Sequence, residues 1–283
     1  MKIFHRFTMD PVDPYVDMFK TWGVICDTYS NGVEVYFDEA HEKTAEILAI
    51  KDELKKTPGV VGPHGWWVDF TEEEILAEPW AEMRMTHESY YPQPQKHMEW
   101  KKQVYENVCP AKWCGVGFHQ KAPFRFAREF RMGRYHFITP YVVNEVFAVN
   151  RVFEVLQAEG IRGWETLEAR IPNGQVSQAV KQFQFPHLAK AGLLQLERYP
   201  VFTCEQCGVS KYRFHERDYF YFPEHAFSSE SDFWVMQEWF GQGRFNADRR
   251  LVVSRRVVEI ALREKWKGVA FRGVKVLPVR SAP

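Results

Sequence analysis

The sequence predicts an α+β protein built from two similar lobes, each a mixed sheet plus a helix, joined by cysteine knuckles. Short alternating segments typical of strands are interspersed with a few amphipathic helical segments, which favours a mixed fold. One helix–glycine–strand unit occurs twice, and two cysteine pairs are each followed by a glycine. We therefore predict an N-terminal α+β region over 1–108, a first knuckle and lobe over 109–200, and a second knuckle and lobe over 201–283.

The composition is that of a globular chain with many aromatic rings. Of the 283 residues, 45% are hydrophobic, 26% are charged and 16% are aromatic, and the formal net charge is zero. A neutral chain has no global attraction to nucleic acid or to a membrane surface. The N-terminal residues show no signal-peptide pattern, and no stretch approaches 18 consecutive apolar residues. We expect a cytoplasmic protein whose five cysteines are reduced thiols or metal ligands.

In the N-terminal region, the sequence pattern predicts strands on either side of one helix. Residues 32–37 alternate as a strand does, and Asp38 is expected to cap a helix that reaches about Lys56. A second strand is predicted over 64–70, and another helix is predicted to begin at 71–74. The N-terminal region is therefore expected to be α+β by itself.

The rest of the chain is predicted to contain two longer helices, each followed by a strand. Apolar residues at three- and four-residue steps predict a helix over 145–159 that starts after Asn144. Ser254 is expected to cap a second helix that reaches about Lys265. Further strands are predicted at 135–138, 164–171, 212–214, 219–222 and 269–276.

These two helices belong to a repeated unit. Residues 150–163 align with residues 255–268 at a constant separation of 105 positions, with Arg, Val and Glu at matching places and Gly at the end of each segment. An amphipathic helix that ends in a glycine turn, followed by a strand, returns the chain to its sheet. The match predicts two lobes of similar plan, and the alternative is that two generic helix ends look alike.

The two cysteine pairs are the clearest chemical signal in the sequence. Cys204 and Cys207 form a CxxCG knuckle, and Cys109 and Cys114 form a wider CxxxxCG pair. Four thiolates make a closed shell for structural zinc, whereas a catalytic zinc leaves one position for water. We predict that these four cysteines bind Zn²⁺. Thiols that bind no metal, or a redox or catalytic pair, are the alternatives.

Charge is distributed unevenly along this neutral chain. Residues 69–88 contain seven acids and one base, whereas residues 244–283 contain eleven bases and three acids. Each segment is a candidate surface for a partner of opposite charge. The sequence does not choose between them, and a solvated acidic face without a partner is the simpler interpretation of 69–88.

With these motifs in place, the chain resembles the double-CxxCG immunity protein family of bacterial polymorphic toxin systems. The segments that carry the resemblance are Trp22–Cys26, Phe147–Gly163, Cys204–Gly208 and Lys267–Arg272. The family tends to place its first knuckle in the early segment, but here Cys26 lacks the second cysteine and the glycine. Cys109 and Cys114 provide the first pair instead, and Cys26 is a substitute ligand.

The resemblance implies a protein that binds and neutralises a cognate toxin, a role that needs a complementary surface rather than turnover. We expect no enzymatic activity and assign no catalytic residues. One alternative is a zinc-dependent hydrolase, for which ten histidines supply material although none lies in an HExxH motif. The other alternative is a nucleic-acid-binding zinc protein, motivated by the knuckles, the aromatic residues and the basic C-terminal segment.

Overall fold

The computed structural model has an α+β fold with several separate sheets, which confirms the predicted fold class. The structure describes residues 1–10, 13–29, 32–56, 65–106, 109, 111, 114, 119–213, 218–241 and 247–278. The chain forms two compact units, one over Met1–Thr71 and the other over Glu72–Phe214 and Tyr219–Pro283. The division into three regions at 109 and 201 stays a prediction.

The first unit is a four-stranded antiparallel sheet with two helices. Its strands are β1 (Lys2–Met9), β2 (Ile25–Tyr29), β3 (Gly32–Asp38) and β4 (Gly65–Asp69), and its helices are α1 (Tyr15–Thr21) and α2 (Thr44–Leu54). The strand order is β2-β3-β1-β4, so β2 and β4 are the edges. Because residues two apart in a strand share a face, Phe7 and Val35 point to a core that also contains Phe19 of α1 and Ile47 of α2.

Both strands predicted in this region are confirmed as β3 and β4, but the helix begins later than predicted. Asp38 does not cap it, because its Oδ1 accepts a hydrogen bond from the N–H of Ala40 in a local turn. The Thr44 hydroxyl donates to the carbonyl oxygens of Asp38 and Glu39, at 3.3 and 3.1 Å. These bonds stabilise the intervening turn, and α2 begins only at Thr44.

The second unit contains the remaining elements. Its helices are α3 (Glu72–Leu76), α4 (Trp100–Val104), α5 (Asn150–Ala158) and α6 (Arg255–Arg263). Its strands are β5 (Trp80–Met85), β6 (Tyr105–Glu106), β7 (His119–Gln120), β8 (Phe137–Ile138), β9 (Phe147–Val149), β10 (Glu165–Arg170), β11 (Val176–Gln184), β12 (Val201–Thr203), β13 (Ser210–Tyr212), β14 (Phe220–Pro223), β15 (Phe233–Val235), β16 (Trp239–Phe240), β17 (Leu251–Ser254) and β18 (Val269–Leu277). In the described parts of the chain, no helix has both the length and the apolar character that crossing a bilayer requires.

Two sheets of the second unit share one plan. One has the strand order β10-β11-β9-β8, and the other contains the order β18-β5-β17-β15, with β14 added beside β18. Neighbouring strands within each set of four are antiparallel. Helix α5 follows β9 and precedes β10, just as α6 follows β17 and precedes β18. The repeat predicted from the sequence is therefore a repeat of structure, although β5 comes from much earlier in the chain than its counterpart β11.

Backbone conformation after the two helices is also repeated. Gly160 and Lys265 have φ angles of +66° and +53°, and Gly163 and Gly268 have φ angles of +94° and +92°. These angles lie in the left-handed region, which glycine enters without the steric cost that a Cβ atom brings. Equivalent positions, 105 residues apart, thus adopt the same turn.

The two repeats exchange hydrogen bonds reciprocally. The N–H of Arg162 donates to Oδ2 of Asp232 at 3.0 Å, and the N–H of Lys267 donates to Nδ1 of His136 at 3.1 Å. In return, the N–H groups of Asp232 and His136 donate to the carbonyl oxygens of Arg162 and Lys267, both at 2.9 Å. Asp232 and His136 immediately precede the edge strands β15 and β8, so the repeats contact each other through equivalent positions.

Two helix starts predicted from the sequence need correction. The segment after Asn144 contains β9, since Phe147 and Ala148 are buried between β8 and β11, and the helix begins only at Asn150. Ser254 does occupy the N-cap position of α6, but its hydroxyl donates to Oδ1 of Asp232 at 2.7 Å instead of bonding to the helix.

The strands predicted for this unit are largely present. Those at 164–171, 219–222 and 269–276 are confirmed as β10, β14 and β18. Those at 135–138 and 212–214 overlap the shorter β8 and β13, and residue 214 lies outside the described residues.

Candidate metal centre

Two short hairpins present the cysteine pairs. β6 and β7 pair antiparallel on either side of Cys109 and Cys114, and β12 and β13 pair antiparallel on either side of Cys204 and Cys207. Each pair therefore lies where the chain reverses, which allows two sulfur atoms to point the same way. The first hairpin precedes β8 and the second precedes β15, so each repeat contributes one pair.

A tight backbone turn closes the second knuckle. The N–H of Gly208 donates to the carbonyl oxygen of Cys204 at 2.8 Å. The N–H of Cys204 donates to the carbonyl oxygen of Val209 at 3.0 Å. Gly208 has a φ of +70°, a left-handed conformation that glycine adopts without a clash. This turn brings Cys207 back beside Cys204, as the CxxCG spacing predicts.

The four predicted ligands come together. The Sγ atoms of Cys109 and Cys204 are 3.8 Å apart, as are those of Cys114 and Cys207. All four sulfur atoms lie within 4.8 Å of one another, and all four side chains are free thiols rather than disulfides. A tetrahedron with metal–sulfur bonds of about 2.3 Å has sulfur–sulfur edges of roughly 3.8 Å. The closest distances therefore already match those of a tetrahedral Zn²⁺ shell.

The cluster is shielded from solvent by protein. Cys109, Cys114 and Cys204 are buried, and Cys207 is half-buried. The partly buried side chains packed around them are those of Ala111, Phe202, Val209, Trp239 and Ala247. Soft thiolates in a dry pocket favour zinc, copper(I) or iron–sulfur centres over hard cations such as Mg²⁺ or Ca²⁺. This donor set fits zinc, and the four residues are the ones that would hold it.

A buried lysine connects the two hairpins. Lys211 on β13 is fully buried, and its Nζ donates to the carbonyl oxygen of Cys114, on the other hairpin, at 3.0 Å. The same ammonium group lies 5.5 Å from the centroid of the Phe202 ring. Because four thiolates around one divalent ion carry a net negative charge, a cation beside them is electrostatically favourable. No sequence motif predicts this role for Lys211, although its central place in a three-residue strand puts its side chain on the opposite face from its neighbours.

The surroundings shift the pKa values of the buried thiols of Cys204 and Cys109 in opposite directions. Hydrogen bonds from the backbone N–H groups of Cys207 and Gln206 lower the pKa of Cys204, which favours its thiolate form. Burial raises the pKa of Cys109, which favours its protonated form in the absence of metal.

A polar network attaches the first hairpin to the first lobe. The Tyr105 hydroxyl on β6 donates to Oε1 of Glu145 at 2.6 Å, and Nε2 of Gln182 on β11 donates to Oε2 at 3.0 Å. The amides of Gln120 on β7 and Gln182 also hydrogen-bond to each other. Burial raises the pKa of Glu145, and the bonds from Tyr105 and Gln182 oppose that shift by stabilising the charged form.

Two ion pairs connect the acidic and basic segments noted in the sequence. Lys275 forms an ion pair with Glu78, and Nη1 of Arg250 lies 3.7 Å from Oε1 of Glu82. Strand β5 carries Glu82 and lies between β17, which Arg250 immediately precedes, and β18, which carries Arg272 and Lys275. Glu82 and Arg272 are themselves buried. Part of each charged segment is therefore used inside the fold, and neither segment as a whole is one continuous charged surface.

The fifth cysteine lies elsewhere in the fold. Cys26 is part of β2 in the first unit, where it packs against the core of that unit. Among the described residues, the group of possible metal ligands consists of the other four cysteines. The glycine that follows Cys114 in the sequence, Gly115, lies outside the described residues.

Comparison with known proteins identifies no family. No protein-family model matches this sequence, and no curated protein matches it. The features that bear on function are therefore the cysteine cluster and the segments that carry the sequence resemblance.

Proposed function

We propose that this chain is an immunity protein that binds and neutralises a cognate bacterial toxin, and that one structural Zn²⁺ ion joins its two repeats. The observation that carries the proposal is the convergence of Cys109, Cys114, Cys204 and Cys207 from two hairpins. A shell of four thiolates leaves no coordination position for a reacting water, so it suits a structural role.

The resemblance supplies the immunity part of the proposal. Two of its segments, Phe147–Gly163 and Lys267–Arg272, cover the turns that follow α5 and α6, and Cys204–Gly208 is the second knuckle. These segments are structural devices that hold a scaffold together. A protein that acts by occupying a toxin needs a rigid scaffold and one complementary surface, and it needs no catalytic group.

The environments of several histidines favour this role over that of a hydrolase. His5 is buried and stacks on Phe37, with ring centroids 4.9 Å apart. His187 packs against Trp234, and His136 accepts the backbone hydrogen bond from Lys267. Each of these side chains has a packing or hydrogen-bonding role, and the cysteine shell gives a zinc ion no open site for a substrate.

Internal charge pairing argues against nucleic acid as the partner. Among the C-terminal bases, Arg256 contacts Asp232 and Arg263 contacts Glu159, in addition to the ion pairs of Arg250 and Lys275. A nucleic-acid surface needs several bases that are free to neutralise phosphates.

Zinc content tests the structural half of the proposal. Protein purified without added metal is expected to contain one zinc ion per chain, as measured by inductively coupled plasma mass spectrometry. Cys204→Ser is expected to lose that zinc, whereas Cys26→Ser is the matched control and should keep it. Zinc retained in full by Cys204→Ser would contradict the four-cysteine site.

The functional half is tested with the toxin itself. If the preceding gene encodes a large secreted protein with a C-terminal toxin domain, that domain should co-purify with this chain. Co-expression should also protect cells from the toxin domain. Failure both to bind and to protect would remove the immunity role while leaving the zinc site untouched.

A further inference from the structure

An exposed edge strand of the first unit has the properties of a docking site. Among the residues that the structure describes, β2 pairs with β3 on one side only, and it forms one edge of the sheet β2-β3-β1-β4. Natural edge strands are commonly protected by charged side chains, proline or a bulge. Ile25–Tyr29 contains no proline, and its pairing with β3 runs through all five residues without a shift in register, so Asp27 is its one protective feature of this kind. Its outer backbone groups can therefore accept another strand.

Two exposed apolar side chains of β2 add to the unpaired backbone groups of this edge. Ile25 and Tyr29 are 61% and 52% exposed, and both lie on the face of the sheet away from the helices, beside Tyr36 and Gly32 of β3. Val201 on β12, 59% exposed, is an apolar residue of similar exposure in the other unit. Two large exposed apolar residues in a five-residue strand provide contact area for a partner's side chains.

Charge on this face indicates what kind of partner fits. Asp27 lies between Ile25 and Tyr29 and opposite Glu34 on the neighbouring strand. Glu34 is matched by Arg6, at 3.9 Å, and by the hydroxyl of Tyr36, which donates to it. Asp27 has no ion pair within the described part of the chain. A basic side chain placed opposite Asp27 on an incoming strand would therefore neutralise its charge, as Arg6 does for Glu34.

The same charge disfavours a second copy of this chain as the occupant. Antiparallel pairing of β2 with itself that places Ile25 against Tyr29 is centred on Asp27. The two Asp27 carboxylates would then face each other across the new pair of strands, each beside a Glu34. Like charges in directly opposed positions destabilise strand pairing.

We infer that β2 is the docking edge for an extended, basic segment of the protein partner, which adds a strand to the sheet of the first unit. The segment places a Lys or Arg opposite Asp27 and apolar side chains over Ile25 and Tyr29. Backbone hydrogen bonds supply affinity in this mode of recognition, and the side chains supply specificity. The inference rests on the proposed function, because it assigns the surface through which the toxin is held.

The test uses the inactivated toxin domain from the neighbouring gene as the probe and compares two charge reversals. Asp27→Lys is expected to weaken binding by about tenfold or more, because it places like charges together at the centre of the interface. Asp17→Lys is the matched control, since Asp17 lies on α1 with its side chain 91% exposed and the change in net charge is the same. We expect its affinity to stay within about twofold of the wild type.

A second matched pair probes the apolar contacts. Ile25→Lys is expected to weaken binding by about tenfold, whereas Val201→Lys, at a similarly exposed residue of the other unit, should leave it unchanged. All four variants change exposed side chains, and circular dichroism verifies that they fold.

Amide hydrogen exchange distinguishes strand addition from other contacts. Binding of the probe is expected to protect amides within Ile25–Tyr29 that exchange freely in the unbound protein. Binding with no protection in β2 and equal affinities for Asp27→Lys and Asp17→Lys would overturn the docking edge while leaving the immunity role intact. A wild-type dimer that Ile25→Lys dissociates would overturn it in favour of self-association. No binding of the wild type at all would instead overturn the proposed function, and the docking edge with it.

Discussion

The two repeats of the second unit follow one plan but meet through different side chains. Where they exchange hydrogen bonds, the first repeat offers His136 and the second offers Asp232. Where a glycine approaches the other repeat, Gly163 lies against the side chain of Ser231, whereas Gly268 lies against the carbonyl group of Phe137. Backbone geometry is thus shared, while the side chains that satisfy it have diverged. The two halves should therefore respond differently to equivalent substitutions.

Loss of the proposed zinc ion should have the largest effect, because each repeat supplies two of the four cysteines that would hold it. Cys114→Ser is expected to remove the zinc and lower the free energy of unfolding by about 3 kcal/mol or more. Chemical denaturation with and without a chelator measures the change. Cys26→Ser should cost far less, because Cys26 only packs against the core of the first unit. Equal losses in the two variants would contradict the assigned shell.

The paired glycines offer the sharpest comparison of the two repeats. A Cβ at Gly268 would lie 2.1 Å from the backbone oxygen of Phe137, and one at Gly163 would lie 1.7 Å from Oγ of Ser231. The backbone of Phe137 is fixed within β8, whereas the Ser231 hydroxyl can rotate away at the cost of its hydrogen bonds to the Phe233 backbone. We expect Gly268→Ala to cost about 3 kcal/mol or more and Gly163→Ala about 1–2 kcal/mol, measured by thermal unfolding.

A second substitution tests whether the Ser231 side chain causes the loss of stability in Gly163→Ala. Adding Ser231→Gly to Gly163→Ala is expected to restore part of the lost stability, because it removes the clashing side chain. Gly268→Ala has no equivalent rescue. If Gly163→Ala proved the more harmful of the two single variants, the comparison between a side-chain and a backbone obstacle would fail.

The buried lysine makes the second hairpin unlike the first. Lys211→Met keeps the length of the side chain but removes the hydrogen bond to the Cys114 carbonyl. We expect it to cost about 1–3 kcal/mol of stability and to speed the loss of zinc to a chelator. Lys181→Met, at an exposed position of β11, is the control and should change neither quantity.

The smallest expected effect is a pH dependence that belongs to the first repeat alone. Burial lowers the pKa of His136, the charge of Lys267 lowers it further, and Glu264 opposes both. A His whose folded pKa lies below its unfolded value contributes full stability above pH 6.5, and that stability is lost as the pH falls through the folded value. Between pH 7.5 and 5.5 the loss should stay below about 1 kcal/mol. His136→Asn keeps an acceptor for the Lys267 N–H and should abolish this part of the pH profile.

Local signals in the sequence were enough to predict several elements. The alternation at 32–37 and at 269–276 predicts β3 and β18, because a strand with one buried face carries that period. The 105-residue match predicts the repeat, because a helix that ends in a left-handed turn needs glycine at a fixed place. The four cysteines of the cluster were also predictable as candidate ligands, since each pair is recognised by its spacing and by the glycine that follows it.

Other features were hidden because they depend on partners distant in sequence. Asn144 looked like a helix start, but β9 is formed because β8 and β11 offer backbone partners on both sides. Ser254 looked like a helix cap, but Asp232 takes its hydroxyl. The acidic stretch has the composition of a solvated face, but its residue Glu82 is buried in β5, between β17 and β18. In each case a hydrogen bond or strand pairing with a distant segment replaces the interaction that the local sequence pattern predicts with neighbouring residues.

By itself, the sequence determined the fold class, the repeated unit and which four cysteines are candidate metal ligands. Each of these depends on the spacing of residues within short segments. The tertiary structure decided that the two pairs converge to one group, with equivalent sulfur atoms 3.8 Å apart. It also decided that Lys211 joins the hairpins and that β2 is left as an open edge. Convergence of distant segments is set by the packing of whole sheets, a property that no single stretch of the chain encodes.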